Sequence, residues 1–290
     1  MRFWCAVASY LLLVSTFYPQ LVVSRNLRLA DIFQSVVLEK LSQGSGVFLQ
    51  IGAHTGFENN DPIWKLLEGT LKATEGSHYR WTWFCVEPVP QNVRSLKENL
   101  KKHKLPRGGS VIISESAIAH DKKGQSHLTF FSISDSIDPI TGFDRLSGKT
   151  LPYWVTQIGS FNRQHVFKHS KAWTGNGLSV KRYIRPIRVS VDTIPGILSK
   201  HGFNTSDVAL LLIDTEGFDC KILVNLNLNE VRPGLIVFEY KWCRDQRKAV
   251  HKHLKRFGYI VFQEDGSNDF AILKPAALPS EPVSSRPQLA

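Results

Sequence analysis

Two stretches constrain this chain more than any others: Val47-Phe48-Leu49-Gln50-Ile51-Gly52-Ala53-His54-Thr55-Gly56 and Trp83-Phe84-Cys85-Val86-Glu87-Pro88. Each contains an apolar run of the kind found in strands covered on both faces, so the pair reads as two parallel neighbours in a buried sheet. Glycines follow the first run and an acid follows the second. Gly52 and Gly56 would let backbone approach a ligand where a side chain would clash, and Glu87, at a strand tip, can accept hydrogen bonds from two ribose hydroxyls. That combination indicates a nucleotide site. The spacing is Gly-x-x-x-Gly rather than Gly-x-Gly-x-x-Gly, and Glu87 follows Gly56 by 31 residues (87 − 56). A dinucleotide fold has about 20 at that point, which counts against NAD. The glycine pair by itself also suits a plain tight turn.

A third apolar run, Ala209-Leu210-Leu211-Leu212-Ile213, ends in Asp214-Thr215-Glu216-Gly217-Phe218-Asp219. Open parallel sheets hold ligands beyond the carboxyl ends of their strands, so Glu87 and Asp214 are expected to project into one crevice. A solvated helix cap needs no apolar strand to aim it, which favours a functional role for Asp214. Asp219 reads instead as the cap of a helix through Lys221, Ile222 and Leu223.

Gly52-Ala53-His54-Thr55-Gly56, Asn60-Asp61-Pro62, Val86-Glu87-Pro88-Val89, Ser190-Val191-Asp192-Thr193-Ile194, Ile213-Asp214-Thr215-Glu216-Gly217-Phe218-Asp219 and Ile236-Val237-Phe238-Glu239 resemble, in order and spacing, the successive motifs of FkbM-type methyltransferases. The likeness covers roughly residues 45 to 275, and its most specific part is the Asp-x-Glu-Gly-x-Asp segment. It implies an S-adenosyl-L-methionine-dependent O-methyltransferase of the class I, Rossmann-like α/β fold, with a mostly parallel sheet and a terminal antiparallel hairpin. It also implies a cofactor site made of Gln50, Gly52, Ala53, His54, Gly56, Glu87, Ser116, Ala117 and Asp214, with Ser116 and Ala117 bordering the adenine. Two positions depart from the pattern. Gln50 stands where such enzymes usually carry an acid near the methionine part of the cofactor, and His54 where asparagine is common. An uncharged amide accepts a hydrogen bond from an amino group more weakly than a carboxylate does. A noncatalytic secreted glycan-binding protein on a decayed fold is therefore the rival reading.

With 290 residues, 42% of them hydrophobic, the chain can bury a sizeable core, and a single catalytic domain over 25–274 is expected. Residues 1–24 read as a secretory signal, with an apolar stretch from Phe3 to Phe17 and small residues near Ser24. An uncleaved anchor is the second reading and an organellar transit peptide the third. The tail from 275 to 290, rich in proline and serine, reads as disordered. Asn204-Thr205-Ser206 is a glycosylation sequon that agrees with a secretory route. Outside the leader stand Cys85, Cys220 and Cys243; Cys220 and Cys243 follow neighbouring strands and could pair, or all three could be buried thiols.

Strand and helix alternate through much of the chain. Asp61-Pro62 offers an N-cap and a first-turn proline before Ile63, Trp64, Leu66 and Leu67. Val93, Leu96 and Leu100 form the apolar stripe of a helix. Ser110–Ser114 and Leu235–Glu239 read as strands, a helix carries Val250, Leu254 and Phe257, and Tyr259–Phe262 with Phe270–Leu273 form a closing hairpin. Between about 132 and 181 the alternation breaks. That stretch reads as a substrate lid, whose Tyr153, Trp154, Phe161, Phe167 and Trp173 either stack on sugar rings or pack the lid to the body. His165 and His169 fall on one helix face, but no third ligand at suitable spacing accompanies them and no metal site is assigned.

A methyl on a cationic sulfur is already activated, so such an enzyme chiefly aligns an acceptor oxygen and removes its proton. Asp214, Glu216 and His169 are the candidates for that chemistry, with Asp214 nearest the transferred methyl. The expected acceptor is a glycan or other small polar hydroxyl compound. A formal net charge of +11 suits an anionic one, and equally a membrane surface or nucleic acid. An RNA methyltransferase is the other rival, disfavoured by a lumenal destination, and membrane contact is expected only if the leader persists as an anchor.

Overall fold

The computed structural model describes residues 36, 38–42, 45–56, 69, 72, 79–119, 124–170, 180–243, 245–263 and 268–274. The leader, the helix expected after Asp61-Pro62, Trp173, the tip of the terminal hairpin and the tail lie outside them.

In chain order the elements are β1 (Ser45–Ile51), β2 (Arg80–Val86), α1 (Pro90–Lys102), β3 (Gly109–Ser114), β4 (Ser116–Ile118), β5 (His127–Ile133), β6 (Phe143–Asp144), β7 (Lys149–Thr150), α2 (Arg163–Ser170), β8 (Ile184–Asp192), α3 (Ile194–Lys200), β9 (Val208–Ile213), α4 (Asp219–Asn225), β10 (Leu235–Glu239), α5 (Gln246–Arg256), β11 (Tyr259–Gln263) and β12 (Asn268–Leu273). Among the described residues a seven-stranded sheet runs β11-β12-β10-β9-β1-β2-β3. All its pairings are parallel except those of β12, which is antiparallel to β10 and to β11. This is the expected sheet with its terminal hairpin.

Continuous apolar runs form these strands because both faces are covered. On β1 and β9, Phe48, Leu210 and Leu212 pack into one layer with Trp81, Trp83 and Cys85. The alternating Val47, Leu49, Ile51, Leu211 and Ile213 pack into the other with Phe84 and Val86. Each such large side chain contributes about 1.5–3 kcal/mol on burial. On α1, Val93 and Leu96 are buried, Pro90 opens the helix, and Lys101 and Lys102 stand in its last turn against the dipole.

The order reverses between β1 and β9, since the chain runs outward through β2 and β3 before crossing back to the other side of β1. Such a switch point opens a crevice at the carboxyl ends of the strands. Register then decides what meets there. Ile51 pairs with both Val86 and Ile213, so Gly52, Glu87 and Asp214 leave three adjacent strands at one level.

The expected lid is the connection between β5 and β8, which pair antiparallel from His127↔Ser190 to Ile133↔Ile184. Its base was not foreseen. β4, β8 and β5 make a separate three-stranded sheet, and the connection has its own core of Ile137, Leu151, Val155, Ile158 and Val166 with Tyr183 and Ile184. Trp154 and Phe167 pack against that core, and Phe161 lies elsewhere. A disulfide joins Cys220 of α4 to Cys243, beyond β10, while Cys85 keeps its thiol inside β2.

Candidate active site

The first wall of the crevice is the β1 tip. Gly52 has φ 85°, and a Cβ there would lie 1.8 Å from the Asp214 carbonyl oxygen. The Asp214 N–H donates to Ile51 O at 2.9 Å. Gly52 therefore lets two strand tips cross, backbone on backbone, where ligand approach was expected. Gly56, at φ 55°, meets the Leu96 side chain, 2.3 Å from where its Cβ would be. It seats α1 and does not line the cleft.

At the β2 tip, Glu87 is 4% exposed. Its Oε2 accepts from the His54 N–H at 2.9 Å, and its Oε1 from the Val89 N–H at 3.0 Å and Asn92 Nδ2 at 3.2 Å. Burial pushes its pKa upward against the His54 charge and these three bonds. A carboxylate has about four acceptor sites, so three donors leave room for one ribose hydroxyl rather than the two expected.

At the β9 tip, Asp214 is exposed and the loop after it is wound around Asp219. That carboxylate, 0% exposed, accepts from Thr215 N, Thr215 Oγ1 and Gly217 N at 3.1, 2.9 and 3.0 Å. The cap expected of Asp219 is thus corrected. Phe218 occupies the N-cap of α4 without a side-chain bond, and Asp219, the first helical residue, ties down the loop that precedes it. Burial drives it up to about 6.

Glu216 crowns this loop. Burial first, then the Asp219 carboxylate, push it up to about 7, opposed by Lys241, His54 and a hydrogen bond from the Trp242 indole. Helix α2 docks directly on it. The His165 Nε2 donates to the Glu216 carbonyl, and Gly217 admits the His165 ring, 2.5 Å from where a Cβ would stand. His169 Nδ1 lies 3.4 Å from Glu216 Oε2 without forming a hydrogen bond, its ring centroid 3.9 Å from that of Trp242. Burial and the His165 and Lys241 charges hold His169 down at about 4, so near pH 6 this contact joins a neutral imidazole to a largely protonated carboxyl. Behind them Glu239, at the β10 tip, is pushed up to about 8 by burial and by Glu216 and Asp219, with a buried Oε2 that has no hydrogen-bond partner among the described residues.

These tips line one open cleft. Of the expected site residues it brings together Gly52, His54, Glu87, Ser116, Ala117, Asp214 and Glu216. The other expected residues do not line it. Gln50 is 8% exposed and its Oε1 accepts from Trp83 Nε1 at 3.0 Å, so its amide is spent inside the sheet. Ala53 is buried, and His169 stands behind Glu216. Among the described non-glycine residues, only His54 (φ 47°) and Glu216 (φ 52°) are left-handed, and both line the cleft. Such backbone costs about 1–3 kcal/mol. It is held by the His54 bond to Glu87 on one side and the His165 bond to the Glu216 carbonyl on the other.

The cleft and its surroundings also hold residues that the sequence analysis did not assign to it. Gln157, Gly159, Ser160 and Phe161 of the presumed lid, together with Phe130 of β5, line the same cleft as Glu87 and Ala117. Glu239 and Trp242 form the far side of the Glu216 cluster; the acid closing the Ile236–Glu239 strand was the available signal. His54 is also tied to the insertion, its Nε2 lying 3.2 Å from Thr156 Oγ1.

A parallel sheet with a switch point, a closing antiparallel hairpin and acids on adjacent strand tips defines a class I methyltransferase fold. The Methyltransferase FkbM domain matches residues 50–261, and the chain belongs to the FkbM methyltransferase family. No curated protein matches it in sequence. Among solved structures it is similar to cofactor-bound Rv0187 from MTB, at 12% identity and a TM-score of 0.33 over 93% of this chain and 91% of that one.

Proposed function

We propose that this chain is an S-adenosyl-L-methionine-dependent O-methyltransferase acting on a hydroxyl of a glycan or other small polar acceptor in the secretory pathway. One observation carries the reading: buried Glu87 shares a single switch-point cleft with Asp214 and Glu216. The residues present fit the cofactor. Glu87 can take a ribose hydroxyl, Ser116 and Ala117 would border the base, and Asp214 and Glu216 line the same cleft.

When bound, the cofactor supplies an activated methyl group. The chain's own part is to align the acceptor and move a proton. A general base works best with a pKa near the operating pH, and Glu216, at about 7, meets that condition on the cleft wall. Asp214 favours the cation, and His169, one layer back, is a positioning neighbour of Glu216. The secretory address is supported by the apolar leader, the exposed Asn204 of the sequon and the Cys220–Cys243 disulfide, a bond that persists in oxidising compartments. The net charge of +11 favours an anionic acceptor.

Isothermal titration of the full chain with S-adenosylhomocysteine tests the cofactor, with saturable binding expected. No binding would overturn the enzyme reading in favour of a decayed glycan-binding module. Transfer from labelled cofactor to neutral and sulfated oligosaccharides then identifies the acceptor.

A further inference from the structure

We infer that the insertion between β5 and β8 is part of the cofactor site, with Phe161 forming one wall of the slot for the adenine base. This rests on the reading of the cleft as an S-adenosyl-L-methionine site. The sequence pattern assigned the aromatic residues of this segment to the acceptor or to packing; geometry assigns this one otherwise.

Val89, Ala117, Phe130 and Phe161 belong to one apolar cluster, and all four line the cleft. That slot adjoins the ribose position. Val89 N–H is bonded to Glu87, so a base attached to a ribose held at Glu87 would have this apolar wall as its neighbour. An apolar slot beside a polar anchor suits a planar heterocycle, which stacks on aromatic and aliphatic faces without needing hydrogen bonds.

Phe161 is also fixed in advance. Ser160 exchanges two backbone hydrogen bonds with Phe131 of β5, at 2.8 and 3.0 Å, pinning the segment to the small sheet. Gly159 runs so close to Phe130 that a Cβ would lie 2.5 Å from the ring. The Phe161 ring then sits edge-on to Phe130 at 5.2 Å and tilted on Phe218 at 5.4 Å between centroids. A side chain gripped on two sides and open to the cleft is a standing wall, and it explains why Ser160 is bonded to β5 while Trp154 and Phe167 serve the insertion's own core.

Titration of the full chain and its variants with S-adenosylhomocysteine and with adenosine tests this. Loss of a base–aromatic stack corresponds to about 5- to 150-fold in affinity. Phe161→Ala should lose affinity for both ligands in that range, and Phe161→Tyr, which keeps the ring, should stay within a few-fold of the parent. Should the alanine variant unfold, Phe161→Leu keeps the apolar volume without the ring and should show a loss in the same direction. Parent-like affinity in both ring-less variants overturns the inference while leaving the cofactor reading intact; a parent chain that binds neither ligand overturns both.

Discussion

Glu87 accepts three hydrogen bonds before any ligand arrives, and this changes how its replacement must be designed. Removing the carboxylate leaves the His54 and Val89 N–H groups and the Asn92 amide without their acceptor. An orphaned buried donor costs about 1–3 kcal/mol, so Glu87→Ala mixes lost folding stability with lost binding. Glu87→Gln is the milder probe. Its one amide oxygen can still accept from the Val89 N–H and Asn92, and its NH2 then meets the His54 N–H, so one donor is orphaned in place of three and the charge is removed. Its expected effect is a loss of about 1.5–3 kcal/mol in S-adenosylhomocysteine affinity, the range for hydrogen bonds to charged groups, with the unfolding midpoint lowered less than by Glu87→Ala. An affinity equal to the parent's would remove Glu87 from the ribose site.

Among the elements, the Cys220–Cys243 bridge matters beyond its two residues. It fastens α4, whose first residue organises the loop of Glu216, to the segment carrying Lys241 and Trp242, whose indole donates to Glu216. The bonded cysteines are separated by 23 residues, and closing a loop of that size constrains the unfolded chain by about 3 kcal/mol. Cys243→Ser should therefore lower the unfolding free energy by about that amount in denaturant titration, and a dithiol reductant should do the same to the parent but not to the variant. Equal stability of oxidised and reduced parent would mean that the bridge does not form. The pairing lay between two open readings because spacing cannot decide whether two strand ends face each other. β1, β2, β9 and β10 were legible for the opposite reason: burial on both faces writes an unbroken apolar run into the chain. The small sheet was not legible. β5 runs from exposed His127 and Thr129 to buried Phe130, Ser132 and Ile133, and β8 carries exposed Arg185 and Arg188, a pattern that does not reveal which sheet a strand joins. Gly52 was read correctly as a place of close approach, but the atom that approaches it belongs to Asp214, far along the chain, and no local pattern names such a partner. The same limit hid Phe161, whose neighbours Phe130 and Phe218 come from separate elements.

For the molecule as a whole, the acids gathered at the strand tips couple folding to pH in a direction opposite to the usual one. Glu216, Glu239 and Asp219 are raised to about 7, 8 and 6 from ordinary values of 4.5, 4.5 and 3.8. The folded chain thus keeps protons that the unfolded chain releases, and stability falls as pH climbs from the ordinary values through the raised ones. His169 acts in the reverse sense. Held at about 4 against 6.5, it costs stability as pH drops below 6.5, where the unfolded chain takes a proton that the folded chain refuses. Between pH 6.5 and 8 the carboxyls therefore act with little opposition from His169, and Glu239, raised furthest, dominates the upper part of that window. The thermal unfolding midpoint should be higher at pH 6.5 than at pH 8. Glu239→Gln, which keeps the shape and cannot ionise, should flatten that slope and raise the midpoint at pH 8 above the parent's. Calorimetric scans of parent and variant at these two pH values give the answer: a parent midpoint that is flat or rises with pH would mean that Glu239 and Glu216 are ionised in the folded chain, and Glu216 would then be a weaker base than proposed.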